Sequence, residues 1–198
     1  MIFKKKVALI LITFLFIFTN AKAIEPDAFI QSTINDAVAT LGSEKSREEK
    51  ISDLKKIASE TVDINGIGFY SLGSHRKDLD DAKKKEYILA FNEYFMNSFS
   101  NRLVEYTDPV IEVSSKEKLN ENYTIVSSKL LANDKRPEIK IEWRVYTKNP
   151  NKPLIRDLII EGLSLARTQK EEFNSIIISA DGNIDALISN LNNFSKNK

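Results

Sequence analysis

His75 is the only histidine in the chain, and cysteine is absent. Thiolate nucleophiles, disulfides and cysteine-ligated metals are therefore excluded. A histidine-based metal cage would lack its second ring, and a serine–histidine–aspartate triad would have to use His75. His75 follows Gly73-Ser74 and precedes Arg76, Lys77 and Asp78, a composition that reads as a solvated loop. Asp80 and Asp81 suit the start of a helix, where carboxylates meet the positive end of its dipole. Lys83, Lys84 and Lys85 lie within i,i+4 reach of them and read as a solvated face. No glycine-rich phosphate loop is present. Glu161 lies in an apolar stretch, where a buried carboxylate needs a partner such as Arg156 or Arg167. A structural ion pair suits that pattern better than a catalytic acid. These residues make no catalytic constellation, so the expectation is a protein that is not an enzyme and carries no metal or cofactor.

Composition narrows the class further. The 198 residues are 42% hydrophobic and 29% charged, ordinary for one folded domain. The formal charge of +1 offers no basic excess for phosphate backbones, so nucleic acid is not an expected partner. Residues 1–23 read as a secretory signal peptide. Lys4, Lys5 and Lys6 precede an apolar run over 7–18, broken only by Thr13, and Ala21-Lys22-Ala23 is a small-x-small cleavage site. Cleavage after Ala23 removes four lysines and no acid, leaving a slightly acidic single domain over 24–198. A secreted chain without cysteine must be held by core packing alone.

The elements follow from periodicity. Helices are predicted over 29–41, 46–60, 63–72 and 80–106. Ser46 and Glu49 form a capping-box pattern for the second. The fourth carries the largest apolar stripe: Tyr87, Phe91, Tyr94, Phe95, Phe99, Leu103 and Tyr106. Beyond Asp108-Pro109 the period changes. Strands are predicted over 110–114, 123–132, 139–146 and 155–166, with Gly162 a bulge or bend in the last. Helices over 168–178 and 184–194 close the chain, parted by Asp181-Gly182-Asn183. Helices, then an antiparallel meander, then helices make the class α+β. The aromatic excess of the long helix has two readings: a large core, or an apolar cavity walled by that helix and the strands.

Several segments together resemble the MlaC, or toluene-tolerance, family. They are Leu72-Gly73 leading to Tyr87-x-x-x-Phe91-x-Glu93-Tyr94; Ile141-Glu142-Trp143-Arg144; Arg156-Asp157 running into Glu161-Gly162-Leu163-Ser164-Leu165; and Phe173 with Asp181-Gly182-Asn183-Ile184-Asp185-Ala186-Leu187-Ile188. The Glu161–Ser164 block is the most specific of these, and the resemblance spans about residues 51 to 193. The chain departs from the family pattern after Leu72-Gly73, where Arg76 and Lys77 stand without an aromatic, and in the shifted turn at Asp181-Gly182.

The resemblance implies a twisted antiparallel sheet of about four strands, wrapped by N- and C-terminal helices around an apolar lipid cavity. It implies a periplasmic phospholipid carrier working between an inner-membrane ABC transporter with an MCE-domain protein and an outer-membrane lipoprotein–porin complex, which would maintain outer-membrane lipid asymmetry. On this reading Phe69, Phe91, Tyr94, Phe95 and Phe99 line the cavity from the helical half. Ile141, Trp143, Val145, Ile160 and Leu163 line it from the strands. Arg76, Lys77 and Arg144 would stand near its mouth. A carrier of another lipid, such as a hopanoid, and an interaction module with a filled core are the alternatives.

Overall fold

The structure, a computed structural model, describes residues 23–134 and 136–196. Apart from Ala23, the expected leader lies outside the described residues.

The helices of the first half start either at a proline, whose missing amide needs no partner, or where a side chain satisfies a free amide. Helix α1 (Pro26–Leu41) begins with Pro26 and stops at Gly42. Helix α2 (Arg47–Thr61) has the full capping box: Ser46 Oγ accepts the Glu49 amide, and the Glu49 carboxylate accepts the Ser46 amide at 2.9 Å. Asp63 caps α3 (Ile64–Ser71) through the Gly66 amide, and Asp80 caps α4 (Asp81–Leu103) through the Lys83 amide. A short 3-10 turn, Gly73–Lys77, joins α3 to α4, and His75 Nε2 lies 3.0 Å from Asn174 Oδ1.

Gly68 shows how tightly α3 meets α4. A Cβ built there would stand 2.8 Å from Phe91 Cδ1, on a ring that is 1% exposed. Tyr87 donates its hydroxyl to the Gly68 carbonyl at 2.9 Å, and burial pushes that phenol's pKa up, so it stays a neutral donor. Gly68→Ala gains about 1 kcal/mol of helix propensity but overpacks the core, which costs about 1–3 kcal/mol. The expected result is a net loss of roughly 1 kcal/mol, read from the denaturant midpoint.

The second half is a five-stranded antiparallel meander of sequential neighbours: β1 (Ile111–Asn120), β2 (Tyr123–Leu130), β3 (Ile139–Tyr146), β4 (Leu154–Ile160) and β5 (Leu163–Ser164). The strand expected over 155–166 is in fact a hairpin followed by a helix. Glu161 and Gly162 both have positive φ, 49° and 81°, and reverse the chain as the two-residue turn of a β-hairpin. Ser164 then caps α5 (Leu165–Ser179), and α6 (Ile184–Lys196) follows. Glu161 is therefore exposed rather than buried. Its carboxylate accepts the Lys140 amide, and it pairs with neither Arg156 nor Arg167.

Residue 156 is an extra residue in β4. Arg144 pairs with Asp157 and Val145 with Ile155, so Arg156 bulges out. The bulge keeps Ile155, Leu158 and Ile160 on the inner face. It places Arg156 outside, where its Nε donates to Asp63 at 2.6 Å, its Nη1 donates to Tyr123 at 2.7 Å and its guanidinium covers the Tyr146 ring. The helices cover the inner face of the sheet: α1 packs on β1 and β2, α3 and α5 on β4, and α4 joins α2, α3 and α6.

Candidate functional site

One core of buried residues links the helices to the inner face of the sheet, and two apolar chambers remain beside it among the described residues. The larger, about 500 Å³, has Ile141, Trp143, Ile155, Leu158 and Ile160 as its floor. Its roof comes from α1 and α2, through Ile34, Val38, Leu54 and Ile57. The smaller, about 260 Å³, lies between Tyr94, Phe95 and Phe99 of α4 and Leu165 and Gln169 of α5. Val62, Phe99, Trp143, Ile155 and Leu158 border both, so the chambers adjoin along one apolar wall.

The strands reach the floor by alternation. In β3, Ile139, Ile141, Trp143 and Val145 share the inner face with Thr124, Val126, Ser128 and Leu130 of β2. The indole of Trp143 donates to Ser128 Oγ at 2.8 Å, which satisfies its polar edge and leaves its ring to the chambers. On α4, Phe95 and Phe99 stack with centroids 5.6 Å apart. Tyr94 donates to Gln169 Oε1 at 3.0 Å, tying α4 to α5 across the smaller chamber. Burial raises the pKa of Tyr94, so it too is a neutral donor.

Of the ten residues expected to line the cavity, six border the chambers: Tyr94 and Phe95 the smaller, Ile141 and Ile160 the larger, Phe99 and Trp143 both. Four stand elsewhere. Phe91 is packed among the rings of Tyr87, Phe95 and Phe173, because it lies on the part of the α4 stripe that meets α3 and α5. Val145 is fully buried in the core. Phe69 packs half-buried against the same core. Leu163 follows the β4–β5 turn and is 59% exposed.

Several wall residues escaped the sequence reading. Ile155 sits on the inner face only because of the bulge. The stripes of α1 and α2 showed that those helices bury a face, but not what lies against it. Arg102 was also missed. It is exposed, borders both chambers, and makes no ion pair or hydrogen bond among the described residues. Asp157 also touches the smaller chamber, but Arg144, Ser164 and the Ala166 amide hold its carboxylate. Arg76 and Arg144 lie apart from the chambers, in a separate polar pocket. Among the described residues no three metal-capable side chains gather, and no helix is long and apolar enough to cross a membrane. The arrangement suits a long apolar guest with a charged end held at Arg102.

The fold is similar to that of a phospholipid-binding protein from Ralstonia solanacearum, solved in complex with a phospholipid. The TM-score is 0.74 at 16% identity, over 88% of this chain and 98% of that one. No curated protein sequence matches the chain. The family described as MlaC protein matches residues 31–193, which include the whole sheet and all or most of each α-helix, and the chain is a member of that family.

Proposed function

We propose that this chain is a periplasmic phospholipid carrier. The observation that carries the reading is the pair of adjoining apolar chambers with an arginine at their edge that has no partner among the described residues. The phospholipid bound by the structurally similar Ralstonia solanacearum protein supports it. The acyl tails would lie on Trp143, Phe95, Phe99 and Leu158, and the phosphate would meet Arg102. Residues 1–23 act as a signal peptide cleaved after Ala23. The carrier exchanges lipid with an inner-membrane MCE-domain protein of an ABC transporter and with an outer-membrane lipoprotein–porin complex, and so maintains outer-membrane lipid asymmetry.

The energetics suit a carrier. Exposing ~30 tail carbons at ~0.8 kcal/mol each would cost ~24 kcal/mol, so unaided transfer through water is negligible. The chambers need only match what the bilayer already provides, because a much tighter site would not release its cargo. Apolar walls with no directional bond to the tails supply this.

The test is native mass spectrometry of the mature protein purified without detergent, with organic extraction of the same sample. The expected result is one added phospholipid mass, identified in the extract. The extract also separates a phospholipid from another lipid class such as a hopanoid. A protein that is empty as purified, and stays empty after incubation with phosphatidylethanolamine–phosphatidylglycerol vesicles, would overturn the reading.

A further inference from the structure

A third pocket, polar and of about 490 Å³, lies across β4 from the smaller chamber. Arg76, Arg144 and Arg156 line it together with Tyr70, Asn120 and Tyr123. Asp157 and Ala166 border both this pocket and the smaller apolar chamber, so the two are separated by little more than one layer of residues.

The β4 bulge assembles the pocket. It turns Arg156 outward beside Asp157, and Arg144 reaches the same place from its pairing position opposite Asp157 on β3. The charges there do not cancel. Asp63 neutralises Arg156 at 2.6 Å, and Asp157 faces Arg144 at 3.3 Å. The Arg76 side chain has no carboxylate and no hydrogen-bond partner among the described residues. Arg144 engages Asp157 through Nη1 alone, and a guanidinium carries five N–H donors. One positive charge is thus unopposed, and two guanidinium forks still have free donors. Forks of this kind match the oxygens of a phosphate, which can accept from both at once. The space is larger than a bare anion needs. The Asn120 amide and the Tyr70 and Tyr123 phenols suit a small polar body attached to the anion.

We infer that this pocket binds a phosphate monoester or diester on a small polar body, gripped by Arg76 and Arg144. The inference does not rest on the lipid reading, because none of the three arginines borders the apolar chambers. The phosphate has two possible sources: a soluble organic phosphate, or the head group of a lipid.

The experiment titrates sn-glycerol 3-phosphate into the mature protein by isothermal calorimetry, once delipidated and once loaded with dioleoylphosphatidylglycerol. Uncharged glycerol is the control. Saturable binding is expected, weakening with salt. Arg76→Ala should weaken it at least tenfold, with partial recovery in Arg76→Lys. The Arg76 side chain makes no hydrogen bond or ion pair among the described residues, so both variants should melt like the parent. Equal binding by the loaded and delipidated forms assigns a soluble ligand. Binding by the delipidated form alone assigns the head group and moves the lipid phosphate from Arg102 to this pocket. No saturation by 10 mM in the delipidated form, or equal affinity in parent and Arg76→Ala, overturns the inference. Lipid occupancy of each sample, read by native mass spectrometry, keeps the outcomes apart: a chain that never holds lipid yet binds glycerol 3-phosphate loses the carrier reading and keeps the pocket.

Discussion

A chain carrying Phe95→Asp should emerge folded and empty. Phe95 borders the smaller chamber, stacked on Phe99 and in contact with the Phe91 ring. In the unloaded protein a carboxylate at this half-buried position keeps access to water. Once acyl tails fill the chamber, that water is displaced and the charge has no partner. Stranding a charge in this way costs about 3–5 kcal/mol. At about 1.4 kcal/mol per decade, lipid affinity should fall at least a hundredfold. Native mass spectrometry should show the apo mass, while far-ultraviolet circular dichroism stays that of the parent. Phe95→Leu, which keeps the wall dry, should retain its cargo. Full occupancy in the aspartate variant would mean that the tails do not reach this chamber.

The largest stability effect is expected at Asp157. This carboxylate is 3% exposed and accepts three donors: Arg144 Nη1, Ser164 Oγ at 2.6 Å and the Ala166 amide at 3.0 Å. It thereby fastens β3, β4 and the first turn of α5 at one point. Asp157→Ala leaves Arg144 without its counter-charge and the first turn of α5 with an unpaired amide. The Arg144 side chain is 34% exposed, so water recovers part of the loss, and the effect should lie near the lower end of the ~3–5 kcal/mol range for broken buried pairs. About 3 kcal/mol in a domain of this size lowers Tm by roughly 6–12 °C. Asp157→Asn, whose one oxygen can still accept the Ala166 amide while its NH2 faces the Ser164 hydroxyl, should lose less. A thermal melt of the two variants beside the parent decides this. A fall of under 2 °C in Asp157→Ala would mean that the hydroxyl and amide find other partners without cost.

How much was legible in the sequence depended on how local the signal was. The capping box at Ser46 and Glu49 and the cap at Asp80 act within one turn, so their residue types suffice to mark the helix starts. The alternation of Ile139 to Val145 also survives folding intact, because β3 is paired along its length on both sides. The hairpin at Glu161-Gly162 was hidden. Its apolar flanks run straight on, and glutamate is an uncommon residue at positive φ, so nothing resembled the usual Asn-Gly or Asp-Gly turn. That hidden turn carried Leu163 from an expected wall position to the surface. At the site, the same α4 stripe supplied both Phe91, which is core, and Phe99, which borders both chambers. A stripe records that a face leaves water, and the same pattern serves whether protein or a guest covers it.

The bulge at Arg156 has a consequence for how such chains can vary. Alternation along β4 resumes on either side of it as though residue 156 were not there: Val145 still faces Ile155, and Arg144 still faces Asp157. A one-codon deletion at this position would shorten the chain without turning any wall residue outward. The cavity floor would persist, while the clamp from Arg156 to Asp63, Tyr123 and Tyr146 would vanish. The clamp is thus a removable part. A lineage could gain or lose it in a single indel, leaving the apolar lining under separate selection.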